Sequence, residues 1–223
     1  MRYWPHPVEI PLIRVPTKIP HNAITIFTDG CKIGGKVGAA AVIIKDDTLL
    51  HQYKYKLHER CSFNQAEQVA ILKALEQIQN LQLPKDAEKI AVVNTDSIVT
   101  IETLQNRNKH YRLTGSIKKE IMRLEDQQWT VLFNLVKAHT GIKENEMADR
   151  LAKEAATEDI GVLVYDKIPK QTLITEGKEK EITQWQEQST SSTKGAVSKL
   201  FFPHIKERIP ISAEFMAMVT DHG

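Results

Sequence analysis

The sequence predicts an α/β protein built on a mixed five-stranded sheet with helices packed against it. Three observations predict this class. Short β-rich runs separated by tight turns fill residues 23–57, a helical period begins at about Gln65, and strands then alternate with helices as far as Ala156. An order of this kind is typical of a sheet that is covered by helices.

The first three strands are predicted from β-branched residues, alternation and turn signals. Residues 23–28 and 39–44 are apolar runs separated by a glycine-rich turn, and Asp46-Asp47 marks a second turn before residues 49–57. Aromatic and apolar residues alternate with polar ones in the third run. Because both connections are short, we expect the three strands to form an antiparallel meander.

The following segment switches to a helical period and then alternates between the two types of structure. Pro84 stops the first helix, and the apolar run around Val92 has the composition of a buried parallel strand. The predicted order of the whole domain is β-β-β-α-β-α-α-β-α. Its later elements are a helix over 65–79, a strand over 90–93, helices over 97–105 and around 117–124, a strand over 130–136 and a helix over 145–156.

Both ends of the chain lie outside this pattern. Residues 1–21 are rich in proline, which predicts an extended lead-in that either packs along the domain or belongs to a linker. We therefore divide the chain into a lead-in over 1–21, a domain over 22–157 and a tail over 158–223 that we expect to be weakly ordered. Within the tail, residues 178–188 favour a helix and the Ser/Thr-rich residues 189–193 favour a loop.

Composition excludes several classes of protein. Hydrophobic residues make up 41% of the chain, which argues against global disorder, and a net charge of +2 leaves only local patches to attract phosphates. Cys31 and Cys61 do not form a disulfide framework, and we expect them to be unpaired thiols. No secretory leader or apolar run long enough to cross a bilayer is visible, so we expect an intracellular monomer, nuclear or cytoplasmic, with no membrane partner.

Four acidic residues carry the chemistry that the sequence predicts: Asp29, Glu67, Asp96 and Asp149. Each alone has a simpler explanation, as a turn residue, a first-turn acid, a helix cap and a surface acid. Together they fall near strand ends and helix starts, where a fold can bring them into one place. Clustered carboxylates raise each other's pKa and need cations, and hard oxygen ligands suit Mg²⁺. The set therefore predicts two-metal phosphodiester hydrolysis.

The local sequences around these acids resemble the type 1 ribonuclease H fold and cover about residues 23–156. The matching words are Phe27-Thr28-Asp29-Gly30, Asn64-Gln65-Ala66-Glu67, Asn94-Thr95-Asp96-Ser97, Val136-Lys137-Ala138-His139 and Asn145-Glu146-Met147-Ala148-Asp149. These motifs are similar to those of the ribonuclease H domains of insect non-LTR retrotransposons. The tail resembles the C-terminal segment of those elements in Trp185, Ser192-Thr193-Lys194-Gly195, Phe201-Phe202-Pro203 and Thr220-Asp221-His222-Gly223.

The resemblance implies two Mg²⁺ ions, with Mn²⁺ as a substitute, and a role for each residue. Asp29 would bridge both ions, Glu67 and Asp96 would complete the one near the leaving 3′ oxygen, and Asp149 would hold the one near the attacking water. The resemblance also implies that His139 assists proton transfer or product release, and that Gly141 gives it mobility. A structural role is the alternative for a single loop histidine.

The resemblance also suggests which residues contact the substrate. Ser62, Asn64 and Gln65 would meet the minor groove of an RNA/DNA hybrid, and a polar turn is the alternative. The densest basic run would contact DNA-strand phosphates, or would simply solvate a helix face. That run consists of Arg107, Lys109, His110, Arg112, Lys118, Lys119 and Arg123.

The sequence departs from the family pattern at three positions and in one length. Cys31 stands where Ser is common, and Glu144 and Asp221 stand where Gly is usual. Glu144 would strain its loop if the position needed a positive φ. The stretch between Asp96 and Asp149 is short, so we expect the basic substrate-gripping protrusion of the bacterial enzyme to be absent.

Two functions follow from this sequence. The first is a Mg²⁺-dependent endonuclease that cuts the RNA strand of RNA/DNA hybrids, derived from a retroelement, with an upstream reverse transcriptase module as a partner. The second is an inactive or weakly active nucleic-acid-binding remnant of a retrotransposon polyprotein. Intact carboxylates favour the first, whereas Glu144 and the missing polymerase leave room for the second.

Overall fold

The structure is a computed structural model, and its chain forms two compact units, Met1–Ile168 and Pro169–Gly223. The first unit contains every predicted site residue. The residues that the structure describes are 13–84, 87–106, 111–137, 141–158, 161–192 and 204.

A single mixed sheet forms the centre of the first unit, with the strand order β5-β4-β1-β2-β3-β6. Its strands are β1 (Ile24–Ile33), β2 (Lys36–Lys45), β3 (Thr48–Leu57), β4 (Ile90–Thr95), β5 (Thr130–Leu135) and β6 (Leu163–Tyr165). The helices of this unit are α1 (Phe63–Ile78), α2 (Ile98–Gln105), α3 (Arg112–Asp126) and α4 (Lys143–Thr157).

The topology confirms the predicted element order and the antiparallel meander. β1 pairs with β2 and β2 with β3 in antiparallel register, whereas β4 joins β1, and β5 joins β4, in parallel register. The strand β6, which pairs in parallel with the end of β3, was not predicted from the sequence. The sheet therefore has six strands rather than five, because a three-residue strand carries too little periodicity to be recognised.

Two apolar clusters show how the helices cover the sheet. Ile26 and Ile43 pack with α1 and α3 residues on one face, whereas Phe27 and Val42 pack with α4 residues on the other. The alternation of side chains along a strand explains why neighbouring positions join different clusters. The helix α1 and the helix α4 thus lie on opposite faces of the same two strands.

Two glycines allow these helices to lie close against the sheet. A Cβ atom on Gly30 would lie 2.5 Å from the Glu67 backbone nitrogen, and one on Gly38 would lie 2.3 Å from that of Ala156. Any side chain at either position would push a helix away from its strand. Gly30 therefore sets the approach of α1, and Gly38 sets the approach of α4.

The described part of the lead-in packs along the domain, as one of its two predicted alternatives requires. Arg14 forms a parallel bridge to Leu132, and the Phe133 N–H donates to the Arg14 carbonyl at 2.8 Å. The Arg14 guanidinium lies 3.7 Å from Glu125. These contacts place Arg14 beside β5, while residues 1–12 lie outside the described part of the chain.

The second unit contains the helix α5 (Lys170–Ser191), which includes the predicted helix over 178–188. The loop predicted from residue 189 is wrong for its first three residues, since the helix continues to Ser191. The Thr190 hydroxyl donates to the Gln186 carbonyl at 2.8 Å, so the side chain bonds within the helix instead of breaking it. Trp185 is 57% exposed, whereas Phe201-Phe202-Pro203 and Thr220-Asp221-His222-Gly223 lie outside the described residues.

No helix in the described part of the chain is long and apolar enough to cross a membrane.

Candidate active site

The predicted carboxylates converge where β1 runs past the end of β4. The parallel pairing of these strands ends at Phe27 and Asn94, so Asp29 lies beyond it and Asp96 directly follows β4. The sequence analysis placed Asp29 at a strand end, but β1 continues to Ile33 because the antiparallel pairing with β2 persists. The helices α1 and α4 lie on opposite faces of the sheet near this point. The helix α1 contributes Glu67, and α4 contributes Asp149.

Three of the four acids form one tight group. Single oxygen atoms of Asp29, Glu67 and Asp96 all lie within 4.8 Å of one another. Asp29 and Glu67 are buried, and Asp96 is half-buried. Three carboxylates at this separation repel one another strongly unless protons or cations compensate the charge.

Glu67 is the most deeply buried of the group, with 0% of its surface exposed. Its Oε1 atom accepts a hydrogen bond from the Gly30 N–H at 2.8 Å, while its Oε2 atom is buried and has no hydrogen-bond partner among the described residues. Burial, reinforced by the charges of Asp29 and Asp96, raises the pKa of Glu67 well above its ordinary value of 4.5. A buried carboxylate oxygen without a partner is costly, and a bound cation would satisfy it.

Asp29 shares this environment and responds in the same way. Burial, followed by the charges of Asp96 and Asp149, raises the pKa of Asp29 from 3.8 to about 7. The nearby Lys153 ammonium acts in the opposite direction. The group thus resists full ionisation without a cation, and its all-carboxylate donor set fits a hard divalent ion such as Mg²⁺.

Asp149 lies on α4 and reaches the group from the other face. Its Oδ2 atom accepts a hydrogen bond from the Lys153 Nζ at 2.5 Å, one helical turn further along. The two side chains keep 28% and 48% of their surface exposed. Asp149 is therefore near enough to influence Asp29, but it is not a member of the tight group of three.

The helix α4 is fixed on the sheet by two lysines of β3. The Lys56 Nζ donates to the Ala156 carbonyl at 2.6 Å and to the Glu158 carbonyl at 3.0 Å, so it caps the C-terminal end of the helix. Lys54 forms ion pairs with Glu154 and Glu158. These contacts hold the helix that carries Asp149 in register with the strands.

The predicted substrate residues have structural contacts of their own. Ser62 caps α1 and forms a capping box with Gln65, whose side-chain amide also donates to the Lys167 carbonyl at 2.9 Å. Asn64 is exposed on the same turn. The polar-turn alternative thus has observed contacts in Ser62 and Gln65, and a substrate contact by the three residues stays a prediction.

The remaining predicted residues divide between described and undescribed segments. His139 lies outside the described residues, as do Arg107, Lys109 and His110. Lys118 is buried, and its ammonium donates to the Asn106 carbonyl at 2.9 Å. Its ammonium is therefore not exposed for a contact with phosphate. Arg123 forms an ion pair with Glu120.

The departures from the family pattern cause no strain where the structure describes them. Glu144 lies in the first turn of α4, and it is not among the described residues with positive φ. Gly141, just before this helix, has a φ of +80°. Cys31 and Cys61 are both buried free thiols, which confirms the prediction that they are unpaired.

Lys153 is the site residue that the sequence analysis missed. It lies four positions after Asp149, and oppositely charged residues at this spacing face each other on a helix. That spacing is the only indication of Lys153 in the sequence. It does not identify a site residue, because such pairs are frequent on exposed helices.

The fold and the acidic group together define a protein of the ribonuclease H class, and comparison with known proteins agrees with that assignment. The RNase H family model matches residues 21–157, more than half of the chain, and the chain therefore belongs to the ribonuclease H family of enzymes. A curated ribonuclease H of Ruthia magnifica subsp. Calyptogena magnifica is 30% identical over 149 residues, which is 60% of this chain and 95% of that protein.

Similar solved structures carry ribonuclease H names as well. RNase H1 of the archaeon Halobacterium salinarum is 20% identical with a TM-score of 0.44, covering 60% of this chain and 96% of its own. LC11-RNase H1, isolated from compost, is 25% identical with a TM-score of 0.48, and the coverages are 60% and 96%. The N-terminal RNase H domain of a Mycobacterium tuberculosis protein is 24% identical with a TM-score of 0.48, covering 60% and 98%.

Proposed function

We propose that this chain is a Mg²⁺-dependent endonuclease that hydrolyses the RNA strand of RNA/DNA hybrids by two-metal catalysis. The observation that carries the proposal is the group of three carboxylates whose oxygens lie within 4.8 Å of one another. The unpartnered, buried Oε2 atom of Glu67 supports it, because that atom needs a cation or a proton.

Asp29, Glu67 and Asp96 would hold one ion, and Asp29 and Asp149 would hold the other. Mg²⁺ suits these oxygen ligands, and Mn²⁺ would substitute for it. When bound, such ions supply Lewis-acid stabilisation of charge on the scissile phosphate and lower the pKa of bound water.

The chain itself supplies rigidity around these oxygens. Asp29 is fixed within a paired strand, and the Gly30 N–H orients the Glu67 carboxylate. Lys153 donates to the Asp149 carboxylate, so its ammonium would compete with an ion for that side chain at the second position. His139 is proposed to assist proton transfer or product release rather than to bind metal.

A hybrid substrate agrees with recognition through shape and 2′-hydroxyls, which distinguish RNA from DNA at one site. Asn64 is exposed on the first turn of the helix that also carries Glu67. We propose that this turn meets the minor groove, with Ser62 and Gln65 shaping it.

Cleavage of a labelled hybrid tests this function. We expect the wild-type chain to cut the RNA strand with Mg²⁺ and to stop when EDTA is added, while double-stranded DNA stays intact. Asp29→Asn and Asp96→Asn should nearly abolish cleavage without unfolding the protein. Asp47→Asn is the matched control, because Asp47 is exposed in a hairpin turn with φ of 58°, which asparagine tolerates. Retained cleavage in both active-site variants would refute the proposal.

One observation favours the second function, a nucleic-acid-binding remnant of a retrotransposon polyprotein with little turnover. The Asp149 carboxylate is already neutralised by Lys153, so one of the four acids has an internal partner in place of an ion. The same assay separates the two functions, since a remnant would retain the hybrid in a gel-shift experiment without cutting it.

The retroelement origin is a further proposal, supported by the resemblance of the tail and of the motif style. It predicts a reverse transcriptase reading frame upstream of this domain in the genome of origin. Sequencing of the flanking DNA would test it, and a flanking region without any trace of that frame would contradict the origin without affecting the enzymatic proposal.

A further inference from the structure

A short segment after α4 belongs to the catalytic unit although it lies outside the family match. Residues 161–168, which we call the strap, follow the matched residues 21–157. Within the strap, β6 pairs in parallel with the end of β3, and Tyr165 packs against the main apolar core. The compact unit accordingly continues to Ile168.

The strap contacts the turn that connects β3 to α1. The His58 N–H donates to the Tyr165 carbonyl at 3.0 Å. The buried Cys61 thiol lies 3.9 Å from the Tyr165 carbonyl and 3.8 Å from the Lys167 carbonyl. From the other side, the Lys32 ammonium donates to the Cys61 carbonyl at 2.7 Å. The turn is therefore held between β1 and the strap.

Gln65 links the strap to the first turn of α1. Its Oε1 atom accepts from the Ser62 N–H at 2.9 Å, which completes the capping box. Its Nε2 atom donates to the Lys167 carbonyl at 2.9 Å. One side-chain amide thus joins the helix start to a segment about a hundred residues later in the chain, and Glu67 lies only two positions beyond it.

We propose that the strap is a positioning element for Glu67 and that it acts through Gln65. The proposal rests on the proposed role of Glu67 as a metal ligand. First turns of helices fray readily, whereas a ligand must be held within a fraction of an ångström of its working position. Partners that orient metal ligands are worth about tenfold to a hundredfold in activity or metal affinity.

The substitution Gln65→Glu in the full chain isolates the strap bond. Glutamate keeps an oxygen that accepts from the Ser62 N–H, as in an ordinary capping box, but it cannot donate to the Lys167 carbonyl. Gln82→Glu is the matched control, because it makes the same change from amide to carboxylate at an exposed position beyond the end of α1. Ser62→Ala measures fraying alone, since it removes the hydroxyl of the cap and keeps the strap bond.

Two measurements follow the position of Glu67. Amide hydrogen exchange of Gly30, whose N–H donates to Glu67, should accelerate in Gln65→Glu and stay unchanged in Gln82→Glu, with β2 amides as the internal reference. For hybrid cleavage, kcat should fall about tenfold and half-saturating Mg²⁺ should rise in Gln65→Glu. Gln82→Glu should stay within about twofold of wild type for each quantity.

The outcomes separate the strap from the proposed function. If Gly30 exchange and kcat in Gln65→Glu change no more than in Gln82→Glu and Ser62→Ala, the positioning role is overturned. If wild type does not cleave hybrids but Gly30 exchange still accelerates in Gln65→Glu, the strap is supported and the proposed activity is overturned.

Discussion

Glu67 and Asp149 reach the same site from opposite faces of the sheet, and the protein holds them in opposite ways. Glu67 is fully buried, with one oxygen bound to the Gly30 N–H and the other without a partner. Asp149 keeps 28% of its side chain exposed and is bonded to Lys153. Glu67 has no counter-ion among the described residues, whereas Asp149 is paired with Lys153.

Because of this difference, we expect the two proposed metal positions to bind an ion with different affinities. Beside Glu67, three clustered acids can ionise together only if a cation arrives from solution. Beside Asp149, an arriving ion would compete with the Lys153 ammonium, which already bonds one oxygen of the carboxylate. We therefore expect tighter binding on the Glu67 side and weaker, competitive binding on the Asp149 side.

The largest effect is expected from Glu67→Gln. Loss of a direct ligand should reduce hybrid cleavage by at least about a hundredfold, because even outer-shell partners of metal ligands can be worth that much. The same substitution should raise the melting temperature of the metal-free protein, since it removes a buried charge from a repelling group. Cleavage rates and thermal melting in EDTA measure the two effects.

Glu59→Gln is the control for this substitution, because Glu59 is exposed in the turn just before α1. Equal activity in Glu67→Gln and Glu59→Gln would show that the Glu67 side is not the primary cation position. It would contradict the proposed difference between the Glu67 and Asp149 positions.

A smaller effect is expected from His139→Ala. If this residue assists proton transfer or product release, its loss should lower turnover by about tenfold or more without weakening Mg²⁺ affinity. Single-turnover cleavage and metal titration measure the two quantities separately. Should Mg²⁺ affinity collapse together with turnover, His139 would have to be reassigned as a ligand.

Lys153→Gln tests the Asp149 side directly. Removing the competing ammonium should lower half-saturating Mg²⁺ by about twofold to fivefold, the range expected for an exposed ion pair. Arg150→Gln is the control, because Arg150 lies on the same helix and its ion pair, at 3.8 Å, is with Glu154 instead. An unchanged or higher Mg²⁺ requirement in Lys153→Gln would show that the ammonium does not compete with the ion.

The mildest effect is a pH dependence of stability in the metal-free protein. The pKa of Asp29 is raised from 3.8 to about 7, so folding favours its protonated form. That stabilisation is complete below about pH 4 and is lost as the pH rises through about 7, and Glu67 acts in the same direction. Melting temperature in EDTA should thus fall between pH 5 and pH 8 by several degrees more in wild type than in Asp29→Asn. A difference between the two proteins that does not vary with pH would contradict this assignment.

Much of this arrangement was predictable from the sequence, and particular residues show why. The period of the apolar residues predicted β1 to β5 and α1 to α4, since each is long enough to repeat its pattern. The convergence of Asp29, Glu67 and Asp96 was predictable because each lies in a short, recognisable motif. The assignment of these residues to catalysis stays a prediction.

The features that escaped prediction depend on tertiary contacts. β6 has only three residues, and its place is set by the end of β3 rather than by its own pattern. Asp29 lies within β1 because pairing with β2 continues past it, which no local signal shows. The domain boundary at 157 also stays a prediction, and the strap over 161–168 is a reason to compare fragments that end at 157 and at 168.

Calorimetric titration of Mg²⁺ into the metal-free protein tests the proposed cation site without the need for a substrate. We expect binding to wild type and to Asp47→Asn, and no detectable binding at the Glu67 position in Glu67→Gln. We also expect proton release near pH 7, seen as a heat that depends on the buffer, since the pKa of Asp29 is about 7. Equal binding by wild type and Glu67→Gln would contradict the claim that the three carboxylates form a cation site.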